Sequence, residues 1–161
     1  MNASTDTLDL EARAHSEHAQ ELRLWLRLLA CSQLIEKRVR TGLRERFDTT
    51  LPRFDLMAQL ERHPEGMKMK ELSQRLMVTG GNVTGITDQL VAEGLVERVS
   101  VEGDRRAFLV RLTSEGRHSF EHMAVQHEQW IVQAFEGLGA KELDSLYKLL
   151  GKLKQHQLEM E

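Results

Sequence analysis

The spacing of apolar residues divides the chain into elements. From about residue 19 to residue 46, apolar side chains recur mainly every three or four positions, which predicts a long amphipathic helix. A second helix is predicted after the capping signal at residues 48–50, with Phe54, Met57 and Leu60 on its buried face. Pro64 and Gly66 then break the helical pattern, so a new unit begins beyond them.

The middle of the chain predicts two short helices and a hairpin. Residues 68–76 predict one helix, residues 77–79 a tight turn, and residues 80–93 a second helix with Val83, Ile86 and Leu90 toward a core. Gly94 is placed to end that helix in the left-handed conformation. From residue 95 to 112 the spacing of apolar residues changes from that of a helix to the shorter spacing of a strand. A glycine-containing turn lies at 101–104, so this stretch predicts a β-hairpin.

The remaining sequence predicts two helices with an apolar stripe. Thr113 caps a helix that runs to about residue 135, and a last helix follows Gly139. One face of the last helix carries Leu143, Leu146, Leu150 and Leu153. A single subunit would leave this stripe partly exposed, so we predict a homodimer.

These elements predict a mainly α protein with a small β-hairpin wing, a winged helix-turn-helix with a helical dimerisation region. The boundaries that we predict are a polar N-terminal arm over 1–18, a winged helix-turn-helix domain over 51–112, and a dimerisation region over 19–50 and 113–161.

Charge and cysteine content limit the partners and the cellular compartment that we expect for the protein. A net charge of −3 gives no bulk attraction to polyphosphate, so a nucleic-acid contact must come from a local basic surface. The single cysteine, Cys31, excludes an intrachain disulfide and indicates a reducing compartment. The N-terminus is polar and acidic, and no apolar stretch approaches the ~20 residues that span a membrane. We therefore predict a cytoplasmic protein with no membrane contact.

Double-stranded DNA is the partner that this arrangement of elements favours. A helix fits the major groove, where base edges carry a distinct pattern of donors and acceptors, and a hairpin reaches the adjacent backbone or minor groove. Short polar side chains suit base edges, glycines let a helix start approach phosphate, and arginines suit a narrow minor groove. We expect Asp104 to hold an arginine by a charged hydrogen bond. The predicted DNA-binding residues are Thr79, Gly80, Gly81, Asn82, Thr84, Thr87, Arg98, Asp104, Arg105 and Arg106.

Five motifs resemble the multiple antibiotic resistance regulator (MarR) family. They are Lys-Glu-Leu-Ser-Gln-Arg-Leu at 70–76, Asn-Val-Thr-Gly-Ile-Thr-Asp-Gln-Leu at 82–90, Glu-Gly-Leu-Val-Glu-Arg at 93–98, Asp-Arg-Arg at 104–106 and Leu-Thr-Ser-Glu-Gly at 112–116. The resemblance implies a homodimeric, ligand-responsive transcription factor, usually a repressor. Lys68, where a Ser or Thr cap is common, and the Gly80-Gly81 start of the recognition helix depart from the family pattern.

The resemblance also implies a small effector bound between the helical arms and the DNA-reading lobe. The first two helices line that crevice, and the ligand class implied is an aromatic acid or its CoA thioester. The candidate residues are Trp25, Leu29, Gln33, Arg38, Arg40, Phe54 and Met57.

Other functions stay open at this point. His118 and His122, four apart on one helix, suit a zinc-responsive regulator, and His15 with His18 forms a second pair. Cys31 lies among apolar residues, where we expect a buried thiol and not a peroxide sensor. No nucleotide loop or nucleophile motif is present, so we predict neither an enzyme nor a cofactor. A winged helix that binds protein in place of DNA is the remaining alternative.

Overall fold

The helices and the hairpin lie close to the positions that apolar spacing predicts. The computed structural model describes residues 20–76 and 80–161. In chain order the elements are α1 (Gln20–Phe47), α2 (Leu51–Glu61), α3 (Met69–Leu76), α4 (Gly80–Ala92), β1 (Val96–Val101), β2 (Asp104–Leu112), α5 (Ser114–Ala134) and α6 (Ala140–Glu159). The predicted fold class, mainly helical with an antiparallel hairpin, is confirmed. The arm predicted over 1–18 and the turn predicted over 77–79 lie outside the described residues.

Short polar side chains fix where the helices begin. Thr113 caps α5, and its Oγ1 accepts a hydrogen bond from the Gly116 N–H at 2.9 Å. Lys68 precedes α3 without a hydroxyl, and the Glu71 carboxylate accepts from the Lys68 N–H at 3.4 Å instead. Gly94 follows α4 with φ +74°, the left-handed ending that the sequence predicts.

One apolar core joins α1, α2 and α5 to α4 and the hairpin. The predicted inward positions of α4 are buried, at 0% exposure for Val83 and Leu90 and 7% for Ile86. They pack in the same cluster as residues of α1, α2, the hairpin and α5. Members of this cluster outside α4 include Val39, Leu43, Phe54, Leu56, Met57, Leu60, Val96, Val110, Phe120, Met123 and Trp130.

A short bridge outside the hairpin ties the start of α3 to β2. The Met67 N–H donates to the Val110 carbonyl and the Val110 N–H donates to the Met67 carbonyl, each at 2.8 Å. Both side chains are buried. The wing is therefore fixed at its base to the helix-turn-helix by backbone hydrogen bonds as well as by packing.

The chain crosses itself closely at two glycines. A Cβ at position 116 would lie 1.8 Å from the Leu95 carbonyl oxygen, and one at position 42 would lie 2.5 Å from the Trp130 ring. Only hydrogen in place of a side chain fits such spacings. Gly116 thus lets α5 leave the hairpin directly against β1, and Gly42 lets α1 and α5 pack at short range.

Helix α6 and the first half of α1 lie apart from this core. Along α6 no residue is buried, and Leu149 and Leu158 are more than half exposed. Trp25 on α1 is 55% exposed. Cys31, which we expected to be buried, is exposed because it lies on α1 before the helix reaches this core at Val39, so that expectation is wrong. None of the helices in the described ranges combines the length and hydropathy that a bilayer crossing needs.

Candidate nucleic-acid interface

The outward side of α4 presents small and polar residues. Asn82 and Thr84 are exposed, as predicted, and Gly85 beside them leaves open space where a Cβ would stand. Gly80 and Gly81 form the first two positions of the helix, and Thr79 lies outside the described residues. This surface permits close approach of the helix backbone to a groove, with hydrogen-bonding side chains beside the gap.

Thr87 was predicted to face DNA and does not. It is fully buried, and its Oγ1 donates to the Val83 carbonyl at 2.8 Å. Thr87 lies four residues after Val83 and three before Leu90, on the buried side of α4, and a hydroxyl bonded to the preceding turn of its own helix can enter a core without losing a partner. Thr87 is therefore a core residue and leaves the set of candidate contacts.

The wing presents two exposed arginines in an irregular stretch of β2. Five pairs from Val96 with Leu112 to Ser100 with Phe108 follow one register, but Val101 pairs with Asp104 where that register would give Ala107. Arg105 and Arg106 lie in the extra length that this shift inserts, and both are exposed. Such bulges re-aim side chains away from the regular ladder. The arginines are thus free to reach a DNA backbone or minor groove.

Asp104 shapes the wing through the backbone. Its Oδ1 accepts from the Arg106 N–H at 3.0 Å, and Gly103 before it has φ +85°. We had expected the Asp104 carboxylate to hold an arginine by a charged hydrogen bond, and in the structure that bond is made to the backbone N–H of Arg106. The short carboxylate closes a local turn two residues ahead, a bond that Asp makes readily. Asp104 therefore positions Arg106 and leaves its guanidinium available.

Arg98 is engaged within the protein. Its guanidinium forms an ion pair with Asp88 of α4, and its Cζ lies 5.6 Å from the centroid of the Phe108 ring on β2. Sequence reasoning named Arg98 as a DNA contact and overlooked Asp88 and Phe108. A carboxylate at an outward position of a helix is a poor ligand for DNA. The presence of Asp88 at such a position could therefore have indicated that it pairs with a basic residue of the same chain.

Two further basic residues lie on α3, the helix that precedes α4. Lys70 and Arg75 on α3 are exposed, and sequence reasoning did not single them out. They add exposed positive charge on the helix that packs beside α4, in a chain whose net charge is −3. At the far end of α4, the Arg53 side chain of α2 pairs with Glu93 and anchors the helix to the core.

The residues predicted to bind an effector do not form one site in the structure. Phe54 and Met57 are core residues, and Phe54 stacks on Phe120 with ring centroids 5.4 Å apart. Trp25 lines an open groove of about 510 Å³ between α1 and α6 with Leu24, Leu28, Leu150 and Leu153. Arg40 lines a separate pocket at the start of α2, and its Nε donates to Glu36 at 3.0 Å. Leu29, Gln33 and Arg38 lie along α1 outside both sets of lining residues.

The histidine pair predicted on one helix is present on α5. The rings of His118 and His122 have centroids 4.5 Å apart, and both residues are exposed. Within residues 20–76 and 80–161, no third His, Cys, Asp or Glu completes a metal-binding group with them. His15 and His18 lie outside the described residues.

Comparisons with known proteins place this geometry in a family. A sequence model described as the MarR family matches residues 47–107. YhbI of Bacillus subtilis, described as an uncharacterised HTH-type transcriptional regulator, is 30% identical over 73% of this chain and 76% of its own length. The chain belongs to the MarR family.

Other relatives and solved structures agree with this assignment. The transcriptional activatory protein BadR of Rhodopseudomonas palustris is 35% identical to this MarR-family chain, over 63% of the chain and 59% of BadR. The match thus spans a little over half of BadR. Apo MarR of E. coli superposes with a TM-score of 0.72 at 26% identity, over 85% of this chain and 98% of the other. A mutant E. coli MarR in complex with operator DNA superposes with a TM-score of 0.71 at 26% identity, over 86% and 99%.

Proposed function

We propose that this MarR-family chain is a DNA-binding transcriptional regulator that binds a pseudo-palindromic operator as a homodimer. The observation that carries the proposal is the combination of two surfaces. An outward face of α4 with small and polar residues adjoins a hairpin that presents Arg105 and Arg106 in an exposed bulge. A helix for the major groove and an arginine-bearing wing for the neighbouring groove are complementary to duplex DNA.

The homodimer rests on apolar surface that stays exposed within residues 20–76 and 80–161. Leu143, Leu150 and Leu153 of α6 are 37–42% exposed, and Trp25 on α1 faces the same groove as the last two. Soluble monomers rarely expose contiguous apolar patches of this kind. A two-fold axis through these helices would cover both copies and present two recognition helices to half-sites about one helical turn apart. We assign residues 19–50 and 113–161 to dimerisation and residues 51–112 to DNA binding.

We further propose that the regulator is a repressor released by a small aromatic acid or its CoA thioester. The support for this part is the family resemblance. YetL of Bacillus subtilis, which is 31% identical over 61% of this chain, is described as a repressor, whereas BadR is described as activatory. A reporter gene downstream of the selected operator gives the sign of regulation, with lower expression expected when the protein is present.

Selection of DNA by the purified full chain tests the core of the proposal. Duplexes of about 30 base pairs with a randomised centre are selected by the protein, and affinity is then measured by fluorescence anisotropy. We expect an enriched pseudo-palindrome bound by two chains, and release of DNA by an aromatic acid or thioester in a screen. Recovery of no enriched sequence, or of one asymmetric half-site bound by one chain, would contradict it.

A further inference from the structure

One guanidinium connects the wing to the recognition helix. Arg98 lies on the hairpin face that continues the core, two residues after buried Val96 and paired in register with buried Val110. At this point the hairpin leaves the core, and Arg98 reaches sideways to Asp88 of α4 while its guanidinium lies near the Phe108 ring. A single side chain therefore contacts helix α4 and both wing strands.

We propose that Arg98 is a positioning residue that fixes the angle between wing and recognition helix, with Asp88 and Phe108 as its two supports. In this role it does not bind phosphate itself. The proposal rests on the proposed function, because a fixed angle matters only if α4 and the exposed wing arginines bind DNA together as one unit. A wing that swung freely would have to be ordered on binding, which weakens association.

The three side chains are better placed to orient the wing relative to α4 than to stabilise the folded protein as a whole. The Arg98 and Asp88 side chains are 35% and 59% exposed, and ion pairs so open to water contribute little to folding. Their geometry is nevertheless specific. A planar guanidinium can present its edge to a carboxylate and its face to an aromatic ring at the same time, and a lysine ammonium cannot. Arg98 thus holds two elements at a defined relative angle with two different kinds of contact.

The charge of Asp88 separates this role from direct DNA contact. Asp88 is four residues after Thr84 and exposed, so its carboxylate lies on the side of α4 that would approach phosphates. If Arg98 bound phosphate and Asp88 merely competed for it, Asp88→Asn would strengthen DNA binding. If the pair positions the wing, Asp88→Asn weakens binding although it removes a negative charge from the site.

A double-mutant cycle on the full chain tests the proposal. Affinity for the duplex selected by the wild type is measured at several salt concentrations for Asp88→Asn, Arg98→Gln and the double variant. We expect about a three- to tenfold loss for each single variant and no further loss in the double variant, because both remove the same connection. The salt dependence should stay that of the wild type. Arg98→Lys keeps the charge and should not restore affinity.

Arg111→Gln is the matched control. Arg111 lies on the same hairpin and pairs with Glu97 across the strands at 2.7 Å, with side chains 40% and 44% exposed, but that pair does not involve α4. We expect its affinity to stay within about twofold of the wild type. Amide hydrogen exchange without DNA gives an independent readout. Exchange over residues 99–108 should quicken in Arg98→Gln and stay unchanged in Arg111→Gln.

The outcomes distinguish this inference from the proposed function. Tighter binding by Asp88→Asn, with the salt slope reduced by about 0.9 per chain in Arg98→Gln, would make Arg98 a phosphate contact and overturn the inference while the regulator function stands. Additive losses in the cycle would overturn it as well. If the wild type selects no duplex, the proposed function fails, and unchanged wing exchange in Arg98→Gln would then overturn the inference separately.

Discussion

Substitution of Gly116 by alanine is expected to destabilise the protein strongly. The added Cβ would lie 1.8 Å from the Leu95 carbonyl oxygen and 2.7 Å from its carbon. Ordinary carbon–oxygen contacts are about 3.2 Å, so α5 must move by roughly 1.4 Å, and overpacking of this kind typically costs about 1–3 kcal/mol. The displacement also strains two hydrogen bonds at the same junction. The Thr113 Oγ1 donates to the Gly94 carbonyl at 2.7 Å, and the Thr113 N–H donates to the Leu95 carbonyl at 3.1 Å.

Together these effects give a loss of about 3 kcal/mol in the free energy of unfolding, allowing ~1 kcal/mol for weakened hydrogen bonds. For a chain of this size the melting temperature should fall by roughly 6–12 °C. Urea unfolding followed by circular dichroism at one fixed protein concentration measures the difference. Gly85→Ala is the matched control, because nothing lies within 4 Å of its Cβ position, and it should stabilise α4 by about 0.5–1 kcal/mol. A Gly116→Ala variant within about 0.5 kcal/mol of the wild type would refute this account of the junction.

Three further outcomes are expected. Burial lowers the pKa of His127, whose ring lies 4.8 Å from that of Phe54. At pH values below 6.5, the ordinary pKa of histidine, the unfolded state therefore binds more protons than the native state, and the free energy of unfolding falls as the pH decreases through that region. His127→Phe should lose less stability than the wild type between about pH 7.5 and 5.5, and equal losses would contradict the assignment. Partial desolvation of its carboxyl, with Glu36 adding to the effect and Arg40 opposing it, raises the pKa of Asp55, a residue that keeps an exposed edge, so stability falls as pH rises above 3.8. Asp55→Asn should therefore unfold at a higher temperature than the wild type at neutral pH, and a lower one would show that its charge is stabilising. Leu150→Asp should convert the proposed dimer to monomer in sedimentation velocity at micromolar concentration, and an intact dimer would move the interface elsewhere.

Local signals in the sequence account for most of the fold. The spacing of Val83, Ile86 and Leu90 gives the buried side of α4 because that pattern repeats with the helix period. Thr113 caps α5 and Gly94 ends α4 through bonds and backbone angles that span only a few residues. Elements whose determinants are this local can be predicted without knowing their neighbours.

The errors concern residues whose surroundings come from distant parts of the chain. Thr87 shares the helix face of Val83 and Leu90, but its polar side chain was taken to indicate an outward position, and the core that buries it is formed by other elements. The close approach of Gly116 to Leu95 and the bridge from Met67 to Val110 join residues far apart in sequence. Cys31 was expected to be buried among its apolar neighbours, yet α1 extends beyond the core there. Periodicity identifies an apolar face but not which chain covers it.

The candidate site was predicted by residue type more successfully than by role. Asn82, Thr84, Arg105 and Arg106 are all exposed, and their contact with DNA stays a prediction. Asp104 bonds to an arginine, as expected, but the sequence did not indicate that the donor would be the backbone N–H of Arg106. The effector crevice could not be assembled from sequence, because helical position places Phe54 on a buried face but does not indicate that Trp25 lies in a separate, exposed groove.

Contact between the wing and DNA is measured by the salt dependence of DNA binding by the variant Arg105→Gln/Arg106→Gln. Each arginine that neutralises a phosphate contributes about 0.9 to the slope of log affinity against log salt, and a dimer presents two wings, so the slope should decrease by about 3.6. Between about 50 and 200 mM salt, this smaller slope narrows the difference in DNA affinity between wild type and variant by roughly two orders of magnitude. An unchanged slope, with the wild-type affinity retained, would contradict the account, because the wing would then make no contact with DNA.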